Sequence, residues 1–186
     1  MLAPALTAIL AWTLVEYVIH RWLGHDRRFT RNAFGGEHVA HHARGDHFAP
    51  TWKKVAFLGL AAAVVLPPSV LVAGLADGLI FGLTFIASWL VYEVIHRRMH
   101  TSGGVGPYAR WIRRHHFHHH FHDPKKNFGV SSPLWDVILG TRTAPSRVGP
   151  IVVPRRQAMR WLLDPDGRVR ARHARDYTLR PDRQAA

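Results

Sequence analysis

The chain has 186 residues, a formal net charge of +13 and no cysteine. That length holds one domain with one sizeable core, and the missing cysteine excludes disulfides, thiolate metal sites and cysteine nucleophiles. Any metal chemistry must rest on histidine and carboxylate, and fifteen histidines against twelve acidic residues is an abnormal ratio.

The first element is an apolar run at residues 4–24, PALTAILAWTLVEYVIHRWLG, long enough to cross a bilayer. No basic stretch precedes it, and Glu16 and His20 lie inside it, so it reads as a span and not as a leader. His20 and His25 at its end are spaced HxxxxH. Five residues of α-helix turn through about 500°, so the pair can converge only if the helix stops between them. Gly24 is a suitable terminator.

A basic segment follows, with His38, His41 and His42 as HxxHH. Positions i, i+3 and i+4 share a helix face, which aims three imidazoles at one point. The second apolar run, residues 55–76, carries Pro67-Pro68, which should kink or split it. The third, residues 78–96, is separated from it only by Asp77, so the two form a hairpin with its turn at 76–78. His96 and His100 at its end are spaced HxxxH. Seven tryptophans, mostly near the ends of apolar runs, suit interfacial anchors.

Residues 113–122, RRHHFHHHFH, hold six histidines in two overlapping HxxHH frames. One is His115, His118 and His119; the other is His116, His119 and His120. Helical geometry alone does not choose between them. The segment NFGVSSPLWDVILGT (127–141) follows, then a basic tail from 142 that reads as extended or partly disordered on an anionic membrane surface. Nucleic acid is the rival partner for the charge, but no nucleic-acid-binding motif is present, and the charge frames the apolar runs.

Basic residues flank the apolar runs at 26–54 and 97–126, while the 76–78 turn has none. Both basic segments therefore lie on the cytoplasmic side. All four histidine clusters can meet at that level. The fold class expected is an all-α integral membrane protein, with three to four transmembrane or re-entrant helices and a cytoplasmic helical cap carrying the clusters. Residues 1–141 form the membrane-embedded part and 142–186 the tail. A bacterial inner membrane is the expected location. Imidazole nitrogen without thiolate suits zinc, iron, copper or nickel, and about ten histidines suit two metals. Glu16 and Glu93 are expected to orient an imidazole N–H; for Asp136, helix capping is expected ahead of bonding an imidazole or touching substrate. A membrane metal-binding or transport protein is the competing class, but a transporter would place its titratable groups near mid-membrane.

The four clusters in this order, around apolar helices, resemble the fatty acid hydroxylase/sterol desaturase superfamily of membrane di-iron oxygenases. The segment NFGVSSPLWDVILGT resembles the ending of the fatty acid hydroxylase branch; carotenoid and sterol hydroxylases or desaturases are the alternatives. The resemblance implies two iron ions, replaceable by zinc, with O2 as co-substrate and a lipid substrate in the bilayer. Electrons would come from a separate ferredoxin or cytochrome, since the HPGG motif of a fused haem domain is absent from the sequence. It implies as ligands His20, His25, His38, His41, His42, His96, His100, His116, His119 and His120. The resemblance, through the seven residues between His120 and Phe128-Gly129, also implies the second frame and leaves His115, His118 and His122 aside.

Overall fold

The computed structural model describes residues 2–104, 106–144, 147 and 149–181. Helix α1 (Leu2–Val18) is apolar on all sides. Ala8, Trp12 and Glu16, four residues apart, form its buried stripe, while Leu2, Leu6 and Ile9 stay exposed. A π-helical turn, Ile19–Gly24, continues it. Helix α2 (Ala33–Ala43) is opened by Asn32, whose side chain accepts from the Gly35 N–H at 2.9 Å.

Helix α3 (Thr51–Thr101) is a hairpin of two helical arms. The chain reverses at Gly74 (φ 79°, ψ 171°), an angle pair open essentially to glycine alone. The reversal therefore falls ahead of the 76–78 turn expected from the sequence. Pro67 and Pro68 keep helical angles within the first arm, so the split expected there is also corrected to Gly74. The arms lie close: Gly78 packs against the backbone of Val70, Phe57 meets Trp89 at 5.4 Å between ring centroids, and Lys54 bonds Glu93. Trp12 of α1 sits edge-on to Phe85 of the second arm at 5.5 Å, which closes the first core. At the hairpin tip Leu71 and Val72 are 84% and 89% exposed. Both α1 with its π turn and α3 are long and apolar enough to cross a membrane. Gly74→Ala is expected to cost about 1–3 kcal/mol through backbone strain alone, since nothing lies near the added methyl. Thermal unfolding in detergent checks this.

Helix α4 (Pro107–Phe121) starts on a proline, already set for the first helical turn. Helix α5 (Leu134–Ile138) is short. Strands β1 (Ile151–Pro154) and β2 (Tyr177–Arg180) then pair in parallel, Ile151 opposite Tyr177. The extended or partly disordered reading of the tail is thus corrected over 149–181. Ile151, Val153, Leu162 and Tyr177 share a second core with Met99, Ile112, Phe117 and Val130. Apolar residues scattered among arginines supply it. The fold is mostly helical, with this small sheet as its departure from all-α.

Candidate metal centre

The π turn decides the first pair. Its i→i+5 hydrogen bonding widens the turn, so residue 25 comes back over residue 20, and the two rings lie 5.2 Å apart. The helix thus ends at Gly24, between the two histidines as expected, but only after widening. Gly24 is the last residue of the turn and also makes room, since a Cβ there would stand 2.8 Å from the His38 ring.

The ten histidines fall into two groups of five. His20, His25, His38, His42 and His119 form one; His41, His96, His100, His116 and His120 form the other. Within each, the candidate ligand nitrogens all lie within 4.8 Å of one another. The expectation that each HxxHH aims at one point is corrected. Helix α2 gives His38 and His42 to the first group and His41 to the second; α4 gives His116 and His120 to the second and His119 to the first. His42 and His120 stack at 4.0 Å where the groups meet.

The nitrogens fit a cation better than they fit one another. His25 Nε2 stands 2.7 Å from His38 Nε2 and 2.8 Å from His119 Nε2, and His100 Nε2 stands 3.1 Å from His116 Nε2. One proton on His25 can serve only one of its two neighbours. Nε2 of His20, His41, His42, His96 and His120 is buried without a hydrogen-bond partner, which native interiors rarely leave unexplained. Nitrogens about 2.0–2.1 Å from a shared ion would stand at about these separations. The clusters could therefore hold metal. Burial, the largest cause in each case, lowers the pKa of His25 and His41 to about 4, and those of His38, His42, His116, His119 and His120 well below the ordinary value. These rings are neutral at pH 7, as a metal ligand must be.

Backbone carbonyls orient the rings. Nδ1 of His20 donates to Phe128 O, that of His41 to His47 O at 2.8 Å, and that of His119 to Lys126 O at 2.7 Å. Each bond leaves Nε2 bare and facing its group. This is the work expected of Glu16 and Glu93, and neither carboxylate bonds an imidazole in the interactions observed. Glu16 accepts from the Val130 and Ser131 amides at 2.5 and 2.9 Å and from the Ser131 hydroxyl; Glu93 pairs with Lys54.

Asp136 is fully buried inside α5 and is not a cap. It accepts from Phe128 N at 2.9 Å, Gly129 N at 2.8 Å, Thr141 Oγ1 at 2.7 Å and His115 Nε2 at 3.1 Å. It thus fixes the loop whose Phe128 carbonyl holds His20. Asn127, at a positive φ of 58°, accepts from Thr143 N at 2.6 Å and donates to His115 O at 3.2 Å. Asn127 and Thr141 are supporting residues inside NFGVSSPLWDVILGT that spacing and composition do not single out.

The remaining histidines stand outside both groups. His115 meets Asp136, His118 and His122 face each other at 5.2 Å, and His47 donates to Glu37 at 2.7 Å. His173 lies beside Trp161. A cavity of about 380 Å³ reaches both groups at His20, His38, His41 and His96. Trp12, Phe34, Phe57, Trp89 and Tyr92 wall it, and the charged groups on it include the paired Glu37, Lys53, Lys54 and Glu93.

The family model for fatty acid hydroxylase matches residues 5–141. A dihydroceramide fatty acyl 2-hydroxylase of Arabidopsis thaliana is 30% identical over 72% of this chain and 57% of its own length. Fatty acid 2-hydroxylase of Rattus norvegicus is 30% identical over 72% of this chain and 37% of its own. The chain thus spans between about a third and three fifths of these relatives. A solved structure described as full-length scs7p, with only the hydroxylase domain visible, superposes with a TM-score of 0.56 at 24% identity, over 77% of this chain and 58% of that one. Its likeness is one of fold. The model match runs through all four histidine clusters and ends at Thr141, whose hydroxyl bonds the Asp136 carboxylate, and by that match the chain belongs to the fatty acid hydroxylase family.

Proposed function

We propose that the protein hydroxylates the acyl chain of a fatty acid or acyl lipid at the carbon beside the carboxyl, using two iron ions, O2 and electrons from a separate carrier. The observation that carries this reading is the cavity, whose lining combines aromatic side chains with histidines of both groups. His20, His25, His38, His42 and His119 would hold one ion; His41, His96, His100, His116 and His120 the other. Zinc can replace iron at nitrogen-rich sites. Bound iron would supply the oxidant that an unactivated C–H bond requires, which no side-chain acid or base provides.

The chain's own residues bind, orient and insulate. Trp12, Phe57, Trp89 and Tyr92 offer apolar surface to a methylene chain beside the histidines. The Nδ1–carbonyl bonds of His20, His41 and His119 hold the rings in place during turnover. In this reading α1 and the two arms of α3 make three crossings, with the histidines at the cytoplasmic surface. The basic segments there would attract an acidic ferredoxin or cytochrome. The acyl substrate is favoured over a carotenoid or sterol because the relatives named above are described as fatty acyl and fatty acid 2-hydroxylases.

Lipid mass spectrometry of cells with and without the protein tests the reading. A 16 Da gain on acyl chains is expected, located by fragmentation beside the carbonyl. A change confined to carotenoids or sterols would replace the acyl reading. No lipid change in an iron-loaded, reductant-supplied system would sink every hydroxylase reading.

A further inference from the structure

We propose that the C-terminal tail is a clasp on the histidine-bearing helices, and that Trp161 is a positioning residue for the second histidine group. The family match ends at residue 141, so nothing in it assigns the tail a role. The inference rests on the two-ion reading above.

A helix leaves its last four carbonyls without internal donors. The final turns of α2 and α3 carry His41, His42 and His100. The tail supplies a side-chain donor to each. Gln157 Nε2 reaches Ala43 O at 3.1 Å and His42 O at 3.5 Å. Trp161 Nε1 donates to His100 O at 3.0 Å.

Helix α4 is tied in as well. Arg113, 2% exposed, donates to Ser102 O at 2.5 Å, just past the end of α3. Its guanidinium lies 4.3 Å from the centre of the Trp161 ring. Val152 N donates to His122 Nε2 at 3.0 Å. Three of the four histidine-bearing segments are therefore joined through residues 152–161. Trp161 is absent from both the nitrogen groups and the cavity wall. It acts through the backbone of His100, which belongs to the second group alone, so its effect should fall on that group.

The full chain in detergent micelles is loaded with zinc, and a chelator titration reads the release of each ion. His25→Ala and His96→Ala mark which release step belongs to which group. Trp161→Phe keeps an aromatic ring over Arg113 and removes the donor. The step abolished by His96→Ala should then move to about tenfold lower chelator concentration, as for other outer partners of metal ligands. The step abolished by His25→Ala should stay. Gln157→Met, at a half-buried position, should move both steps, because α2 carries ligands of both groups. An unmoved second step in Trp161→Phe, equal movement of both steps there, or unmoved steps in Gln157→Met overturns the clasp. A wild-type chain that binds fewer than two zinc ions overturns the two-ion reading instead.

Discussion

His116→Ala is expected to abolish hydroxylated product and one bound metal ion, while His118→Ala keeps both. The two residues stand in overlapping HxxHH frames, and only their surroundings separate them. His116 is fully buried, its Nε2 faces His100 Nε2 at 3.1 Å, and its ring lies 4.9 Å from that of His96. Losing an outer partner of a ligand already costs about 10–100-fold in metal affinity, so losing the ligand should cost more than about 100-fold. His118 lies outside both groups and faces His122. Its truncation removes packing on the far side of α4, with an expected cost of about 1 kcal/mol and two ions still bound. Elemental analysis of the purified protein and lipid mass spectrometry read the two outcomes. Loss of metal in His118→Ala with retention in His116→Ala would transfer the ligand role to the other frame.

The clusters are legible in the sequence because helical spacing and a lack of cysteine leave few other uses for so many imidazoles. Their sharing between two centres is harder to read. On a helix, residues i and i+4 are about 40° apart, and i+3 lies about 60° to the other side of i. One face can thus serve two neighbouring points. Helices α2 and α4 do this reciprocally: the i, i+4 pair of each goes to one group and its i+3 residue to the other. HxxxxH then completes the first group and HxxxH the second. The helix stop before His25 is legible from Gly24, but IHRWLG carries no composition signal for the π turn that precedes the stop. What orients the rings is equally silent in the sequence, because backbone carbonyls of Phe128, His47 and Lys126 do it, and any residue carries a carbonyl. The fold of the tail is illegible for a different reason. Its core-forming residues are thinly spread among arginines, and strands of four residues give little alternation to detect.

Asp136→Ala is expected to destabilise the protein by about 3–5 kcal/mol and to loosen the first histidine group. Both effects follow from what the carboxylate holds. One oxygen accepts from Phe128 N and Thr141 Oγ1, the other from Gly129 N and His115 Nε2. The side-chain bonds and the Gly129 amide outweigh burial and hold the carboxyl below its usual range, so it is ionised at neutral pH. Hydrogen bonds to a charged group contribute about 1.5–3 kcal/mol each, and removing one partner of a buried charged network costs about 3–5 kcal/mol. Asp136→Asn should fall part-way, since its amide N–H groups would face two donors across one side of the pocket. Thr141→Val removes one bond to Asp136 and one to Tyr17, and should cost about 1–2 kcal/mol. The link to the metal site runs through Phe128: its amide is held by Asp136, and its carbonyl accepts from His20 Nδ1. Once that loop relaxes, His20 loses the bond that aims its Nε2 inward. Thermal unfolding should therefore report the stability loss, and zinc release should show the first group's step weakened more than the second's. Wild-type unfolding and unchanged zinc release in Asp136→Ala would show that the loop holds itself, and that the carboxylate is not what aims His20.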